Sequence, residues 1–113
     1  MKDGNLLIVD DNKNVYHALK IFLEDEFKTV NYISRPDLIN ETLRTNSIDV
    51  VLLDMNFTAG VNTGNEGIFW LKEIKKIDDS IEVVMFTAYG DVELAVKALK
   101  KGACDFILKP WEK

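Results

Sequence analysis

The sequence predicts an α/β domain in which helices cover both faces of a parallel sheet. Segments with helical periodicity alternate along the chain with short apolar runs that suit β-strands. The run from Ile48 to Asp54 has no polar alternation, which is typical of a central strand buried on both faces. Polar or charged residues follow most of these runs, at the edge of the sheet where sites form in folds of this class.

Five strands are predicted, and the second, which alternates in polarity, is expected nearer an edge of the sheet. They are Asn5 to Val9, Thr29 to Ile33, Ile48 to Asp54, Ile81 to Thr87 and Phe106 to Leu108. Right-handed crossovers between these strands favour a flavodoxin-like, doubly wound sheet in the order 2-1-3-4-5.

Four helices are predicted between the strands. They begin at Asn12 or Asn14, at Ser34 or Asp37, at Glu66 and at Asp91. The side chains expected to face the sheet recur at helical spacing. They are Val15, Ala18, Leu19, Phe22 and Leu23 in the first helix, Leu38, Ile39 and Leu43 in the second, Ile68, Leu71 and Ile74 in the third, and Val92, Ala95, Val96 and Leu99 in the fourth. Met55 to Glu66, rich in glycine and asparagine, is predicted to be a loop.

Composition narrows the class of protein. The 113 residues predict one domain, residues 1–113, and the 47% apolar content predicts a globular core. A net charge of −5 argues against direct nucleic-acid binding by this domain. The chain has no run of membrane-spanning length and no signal-peptide pattern. A single cysteine, Cys104, excludes an internal disulfide and fits a reducing compartment, so we expect a cytoplasmic protein without membrane contact.

Four strands end in polar or charged residues that the sheet should bring together: Asp10-Asp11, Asp54, Thr87 and Lys109. Two carboxylates at ~4 Å repel by roughly 4 kcal/mol at an effective dielectric constant of ~20, so three require compensation. Lys109 supplies one positive charge, and Mg²⁺, which prefers oxygen ligands, would supply two more. Thr87 offers a hydroxyl donor. These groups suit phosphoryl transfer, and Asp54 at the end of the central strand is the candidate nucleophile.

The same residues resemble a known family. An acidic pair after the first strand, one aspartate after the third, Thr-Ala after the fourth and DFILKP at the fifth are similar to the receiver domain of two-component response regulators. The resemblance implies that Asp54 accepts a phosphoryl group from a sensor histidine kinase or a phosphotransfer protein. It also implies that Mg²⁺ is held by Asp10, Asp11, Asp54 and the main-chain carbonyl of Asn56.

The resemblance assigns further roles by position. Thr87 and Lys109 are expected to contact the phosphoryl oxygens, and Phe106 stands at the position of the family's rotating switch aromatic. The domain is then a regulatory phosphoacceptor that promotes its own phosphorylation and dephosphorylation, rather than an enzyme acting on other substrates. The loop from Asp54 to Gly67 is longer than is usual in the family, and Thr58 stands where proline is common.

The segment from Thr87 to Pro110 further resembles receivers of transcriptional activators that carry an ATPase domain and a helix-turn-helix. This implies a C-terminal output domain that regulates transcription, with a homodimer as one expected assembly. The family pattern places a fifth helix after Lys113, so that helix is expected to be truncated or absent. Part of the sheet, over Val50 to Leu53 and Val83 to Phe86, is then expected to be bare.

Three alternatives differ in what they require. An aspartate-nucleophile phosphatase of the haloacid dehalogenase type needs a second aspartate two residues after Asp54, where this chain has Asn56. A flavin or nucleotide module needs a phosphate-cradling loop after the first strand, where the chain is acidic. A degenerate receiver that acts only as a docking module is expected to lack an acid or the lysine, and none is missing.

Overall fold

The computed structural model describes residues 4–55, 65–87 and 92–108. Strands and helices alternate along these ranges. The elements are β1 (Asn5–Val9), α1 (Lys13–Leu23), β2 (Thr29–Ile33), a 3₁₀ turn (Pro36–Leu38), α2 (Ile39–Thr45), β3 (Val50–Asp54), α3 (Asn65–Ile77), β4 (Glu82–Thr87), α4 (Val92–Lys100) and β5 (Asp105–Leu108). The loop predicted over Met55 to Glu66 falls largely at 56–64, outside the described residues, as do the cap at Asp91 and the chain after Leu108.

The five strands form one parallel sheet in the order β2-β1-β3-β4-β5, which confirms the predicted fold class and strand order. The central strand β3 lies between β1 and β4. Val9 of β1 is level with Leu53 of β3, and Asp54 is level with Phe86 of β4. The carboxyl ends of these three strands therefore lie side by side at one edge of the sheet.

The two faces of the sheet carry separate cores. Helices α2, α3 and α4 cover one face, and the side chains buried there include Val51, Leu53, Val83, Leu71 and Ile74. Helix α1 covers the other face, and its side chains Val15 and Leu19 pack with Leu6, Ile8, Leu52 and Phe86. Continuous apolar strands occur because successive residues of β1, β3 and β4 alternate between these two cores.

Three of the predicted core residues whose side chains are described are exposed instead. Phe22 in α1 is 71% exposed, and Val96 and Leu99 in α4 are 41% and 36% exposed. In α4 the inward positions belong to the small residues Ala95 and Ala98, which are fully buried. Helical spacing identifies residues on a common face, but it does not reveal how far the neighbouring surface extends along that face.

The prediction of a partly bare sheet over Val50 to Leu53 and Val83 to Phe86 is correct only in part. On the α1 face, Leu52 and Phe86 are buried, whereas Val50 and Val84 are half-buried. Ile107 of β5 is 40% exposed. The second helix also differs from its prediction, because Pro36 lies in a 3₁₀ turn and α2 begins only at Ile39. No helix in the described ranges is both long and apolar enough to cross a membrane.

Candidate functional site

The strand ends bring three acidic residues together. Asp10 directly follows β1, Asp11 is next in the chain, and Asp54 is the last residue of the neighbouring strand β3. One carboxylate oxygen from each of the three lies within 4.8 Å of the others. Asp10 and Asp54 are buried, with 0% and 2% exposure, whereas Asp11 is exposed. The three predicted metal-binding carboxylates therefore form one cluster that is open to solvent on the side of Asp11.

Local hydrogen bonds shape the chain around Asp10. Its main-chain nitrogen donates to the carbonyl oxygen of Ile33 in β2, at 3.3 Å. Its Oδ1 accepts a hydrogen bond from the nitrogen of Asn12, at 2.9 Å. Asn12 in turn caps α1, because its Oδ1 accepts from the nitrogen of Asn14, also at 2.9 Å. The turn that presents the acidic pair is thus tied to both β2 and α1.

Tyr32 supplies a further contact to Asp10 that the sequence did not predict. Its hydroxyl donates to the main-chain carbonyl of Asp10, at 2.8 Å. The ring stacks on Tyr16 of α1, with centroids 4.3 Å apart and planes inclined by 14°. Burial raises the pKa of the Tyr32 phenol above its usual range, and the nearby carboxylates of Asp10 and Asp11 raise it further. The hydroxyl therefore keeps its proton at neutral pH and remains a donor.

A close helix–strand contact fixes the chain after Asp54. The nitrogen of Met55 donates to the carbonyl of Phe86 in β4, at 2.9 Å, and the nitrogen of Gly67 in α3 donates to the carbonyl of Met55, at 3.0 Å. A Cβ atom at position 67 would lie 2.7 Å from the Met55 oxygen and 2.8 Å from its Cα. Only glycine allows α3 to approach this segment so closely.

The acidic cluster fits a small divalent cation. At a separation of about 4.8 Å and an effective dielectric constant of about 20, each pair of carboxylates repels by roughly 3 kcal/mol. Folding of β1 and β3 into one sheet imposes this repulsion, so a positive charge at the cluster is favourable. Carboxylate oxygens are ligands that Mg²⁺ accepts, usually together with water, and the exposed side of Asp11 leaves room for water.

The remaining predicted site residues are only partly located. Thr87 ends β4, one residue after Phe86, which is level with Asp54, so its backbone lies beside the acidic cluster. Phe106 is half-buried in β5, is level with Met85, and packs against the core under α2 to α4. Asn56 and Lys109 lie outside the described residues.

Known protein families identify the class to which this chain belongs. The family model of the response regulator receiver domain matches residues 6–113. The chain belongs to this family. Among curated relatives, the receiver is similar to the transcriptional regulatory protein ZraR of Escherichia coli strain K12, at 35% identity over 106 residues. That match covers 94% of the chain but 23% of the relative, so the receiver spans about a quarter of the length of the curated relatives it matches.

Solved receiver structures agree with the fold. The N-terminal signal receiver domain of a two-component response regulator from Bacteroides fragilis is 48% identical, with a TM-score of 0.84, and the match covers 96% of this chain and 86% of that one. The receiver domain of NtrX from Brucella abortus is 30% identical, with a TM-score of 0.82 and coverage of 95% and 87%. The family assignment decides against the phosphatase and flavin-module alternatives.

Proposed function

We propose that residues 1–113 form one receiver domain that accepts a phosphoryl group on Asp54 and depends on Mg²⁺ to do so. The donor is the phosphohistidine of a sensor histidine kinase or of a phosphotransfer protein. Phosphorylation then changes the activity of a C-terminal output domain. The curated relatives are named as transcriptional regulators, so this output is the regulation of transcription. The domain acts in the cytoplasm and as a regulatory phosphoacceptor.

One observation carries the proposal, namely the cluster of Asp10, Asp11 and Asp54, in which two of the three acids are buried. Buried carboxylates at this separation are costly, and a fold that needed only stability would gain from replacing one of them. The arrangement is useful where a cation and an anionic phosphoryl group meet. The short distances also favour this proposal over a degenerate receiver, in which the cluster is expected to be incomplete.

The chemistry of the step follows from the position of Asp54. A carboxylate oxygen of Asp54 forms a bond to phosphorus as the bond between phosphorus and the donor's imidazole nitrogen breaks, and the imidazole leaves with the electron pair. Asp10, Asp11, Asp54 and the main-chain carbonyl of Asn56 would hold Mg²⁺, and the ion would supply positive charge to neutralise the phosphoryl oxygens. Lys109 and the hydroxyl of Thr87 contact the same oxygens. The main work of these groups is positioning and charge neutralisation.

Phosphorylation also acts as a switch. The phosphoryl group draws in the hydroxyl of Thr87, because a hydrogen bond to a charged acceptor is stronger than one to a neutral acceptor. This movement vacates space near Phe106, which has no hydroxyl and can turn inward without leaving a polar group unpaired. The affected surface consists of α4 and β5, and it reports the state of Asp54 to a partner.

Incubation with acetyl phosphate and Mg²⁺, followed by intact-mass measurement, tests the proposal. The wild-type chain gains one phosphoryl group, and removal of Mg²⁺ with a chelator prevents the gain. Asp54→Ala abolishes it, whereas Asp79→Ala, which removes an exposed acid from the turn after α3, leaves it unchanged. A full phosphoryl adduct on Asp54→Ala would refute the assignment of Asp54, and no adduct on the wild type would favour a docking module.

A further inference from the structure

We propose that Tyr32 is a positioning residue for the cation site: its hydroxyl holds the peptide unit between Asp10 and Asp11 in the orientation that lets both carboxylates face the cation. This inference rests on the proposed function, because it concerns the same Mg²⁺ site. Tyr32 does not itself contact the cation or the phosphoryl group. It acts through the main chain of Asp10.

The peptide unit between the two acids is the point at which this control is exerted. The carbonyl of Asp10 and the nitrogen of Asp11 belong to one rigid plane. Rotation of that plane changes the direction of the Asp11 side chain relative to that of Asp10. Asp10 lies one residue beyond the end of β1, so its carbonyl is past the regular strand ladder and needs another partner. The hydroxyl of Tyr32 provides that partner at 2.8 Å.

The donor is itself held by regular structure rather than by a loop. Tyr32 lies in β2, level with Ile8 of β1, and its ring is stacked on Tyr16 of α1. A rigid strand and a rigid helix thus fix the ring on two sides, so the hydroxyl has little freedom to leave the carbonyl. A site is held most accurately when its supporting residues are locked in this way by packing.

Two further hydrogen bonds on this turn hold other groups of Asp10. The Asn12 nitrogen holds the Asp10 carboxylate, and the Ile33 carbonyl holds the Asp10 nitrogen. These two hydrogen bonds hold the side chain and the main-chain nitrogen of Asp10, and neither holds its carbonyl. Tyr32 holds the carbonyl that leads to Asp11, and Asp11 is the exposed member of the acidic cluster. Loss of the hydroxyl therefore loosens Asp11 more than Asp10.

The substitution Tyr32→Phe tests the inference, because it removes the hydroxyl and keeps the ring stack. Tyr16→Phe is the matched control, since it removes a hydroxyl from the same stack without touching the bond to Asp10. Mg²⁺ affinity is measured in the unphosphorylated proteins from the shifts of the Asp11 and Asn12 amides in a MgCl₂ titration by NMR. We expect Tyr32→Phe to bind Mg²⁺ about 10-fold more weakly, as for other partners that orient metal ligands, and Tyr16→Phe to bind it as the wild type does.

A second readout separates positioning from general stability. The rate of phosphorylation by acetyl phosphate is measured against Mg²⁺ concentration. For Tyr32→Phe we expect the half-saturating Mg²⁺ concentration to rise by the same factor as the dissociation constant, with the rate at saturating Mg²⁺ close to that of the wild type. A merely structural role would lower the melting temperature and leave the half-saturating concentration unchanged.

The outcomes are distinct. Equal Mg²⁺ affinity in Tyr32→Phe and wild type, with a normal phosphorylation rate in both, overturns the role of Tyr32 and leaves the proposed function intact. Equal weakening in Tyr32→Phe and Tyr16→Phe also overturns it, because the ring stack rather than the hydroxyl would then be responsible. A wild-type chain that binds no Mg²⁺ overturns both the inference and the proposed function.

Discussion

Replacement of Gly67 by alanine should displace the segment that follows Asp54, because the added Cβ would clash with the backbone of Met55. The new Cβ would lie 2.7 Å from the carbonyl oxygen of Met55 and 2.8 Å from its Cα, distances that ordinary contacts do not reach. The Cε atom of Met85, 3.0 Å away, belongs to a flexible side chain and can give way. The backbone of Met55 cannot do so freely, because its nitrogen is bonded to the carbonyl of Phe86 at 2.9 Å.

The expected loss of stability is the balance of three effects. Alanine favours a helix over glycine by about 1 kcal/mol. Overpacking costs about 1–3 kcal/mol, and weakening of the hydrogen bond from the residue 67 nitrogen to Met55 costs about 0.5–1.5 kcal/mol more. The net effect of Gly67→Ala should be a loss of roughly 1–3 kcal/mol in the free energy of unfolding, although alanine is the better helix former.

Gly102→Ala provides a matched control at the other end of the molecule. Gly102 follows α4 with φ of +122°, a conformation that costs an alanine about 1–3 kcal/mol. Among the described residues, a Cβ there would meet only carbons of Lys75, at an ordinary 3.7 Å. The two substitutions should therefore cost similar stability, one by displacing α3 from Met55 and the other by backbone strain remote from Asp54.

Urea unfolding and phosphorylation by acetyl phosphate together decide the question. We expect Gly67→Ala to lose stability and to react about 10-fold or more slowly, because small displacements of a nucleophile carry large rate penalties. Gly102→Ala should lose stability and react at the wild-type rate. Wild-type stability in Gly67→Ala would refute the steric argument. Lost stability with an unchanged rate would refute the link between α3 and Asp54.

Two further predictions concern the switch and the core. Addition of beryllofluoride with Mg²⁺ should shift the NMR amide signals of Ala95 and Phe106 in the wild type but not in Asp54→Ala; shifts confined to the neighbours of Asp54 would count against a switch. Ile74→Ala, at a fully buried position between α3 and the sheet, should lower the free energy of unfolding in urea by about 2–5 kcal/mol. Ile77→Ala, three residues further along and 42% exposed, should cost less than half as much, and equal losses would contradict the described packing of α3.

The sequence was sufficient for the fold and for the acidic cluster. Continuous apolar runs ending in acids specify both the buried strands and the edge at which the acids meet, since the carboxyl ends of parallel strands share one edge. This shared edge brings Asp10, Asp11 and Asp54 close together. The predicted burial of Phe22 was wrong. A helical pattern shows which residues share a face, but it does not show how far the neighbouring surface extends along that face.

Tyr32 could not be found by the same reasoning, because no local pattern marks it, and the reasoning from strand ends does not reach Gly67. The contact of Tyr32 with Asp10 depends on the register between β1 and β2, which places Tyr32 level with Ile8, and on the stack with Tyr16. The role of Gly67 depends on the distance between a helix and a strand end. A glycine in the first turn of a predicted helix was a usable signal, since it is unfavourable there without a packing reason.

The hydrogen bonds made by Tyr32 and Gly67 both counter the repulsion within the acidic cluster. Mutual repulsion of the three carboxylates, roughly 3 kcal/mol for each pair in the absence of a cation, tends to drive the ends of β1 and β3 apart. Strand pairing stops at Val9 and Leu53, one residue short of the acids on the β1 side. Beyond that point Tyr32 holds the β1 end through the carbonyl of Asp10, and Gly67 holds the β3 end through the carbonyl of Met55. Each of these two hydrogen bonds acts on main chain rather than on a carboxylate, so the spacing of the acids is maintained without either bond occupying a carboxylate oxygen.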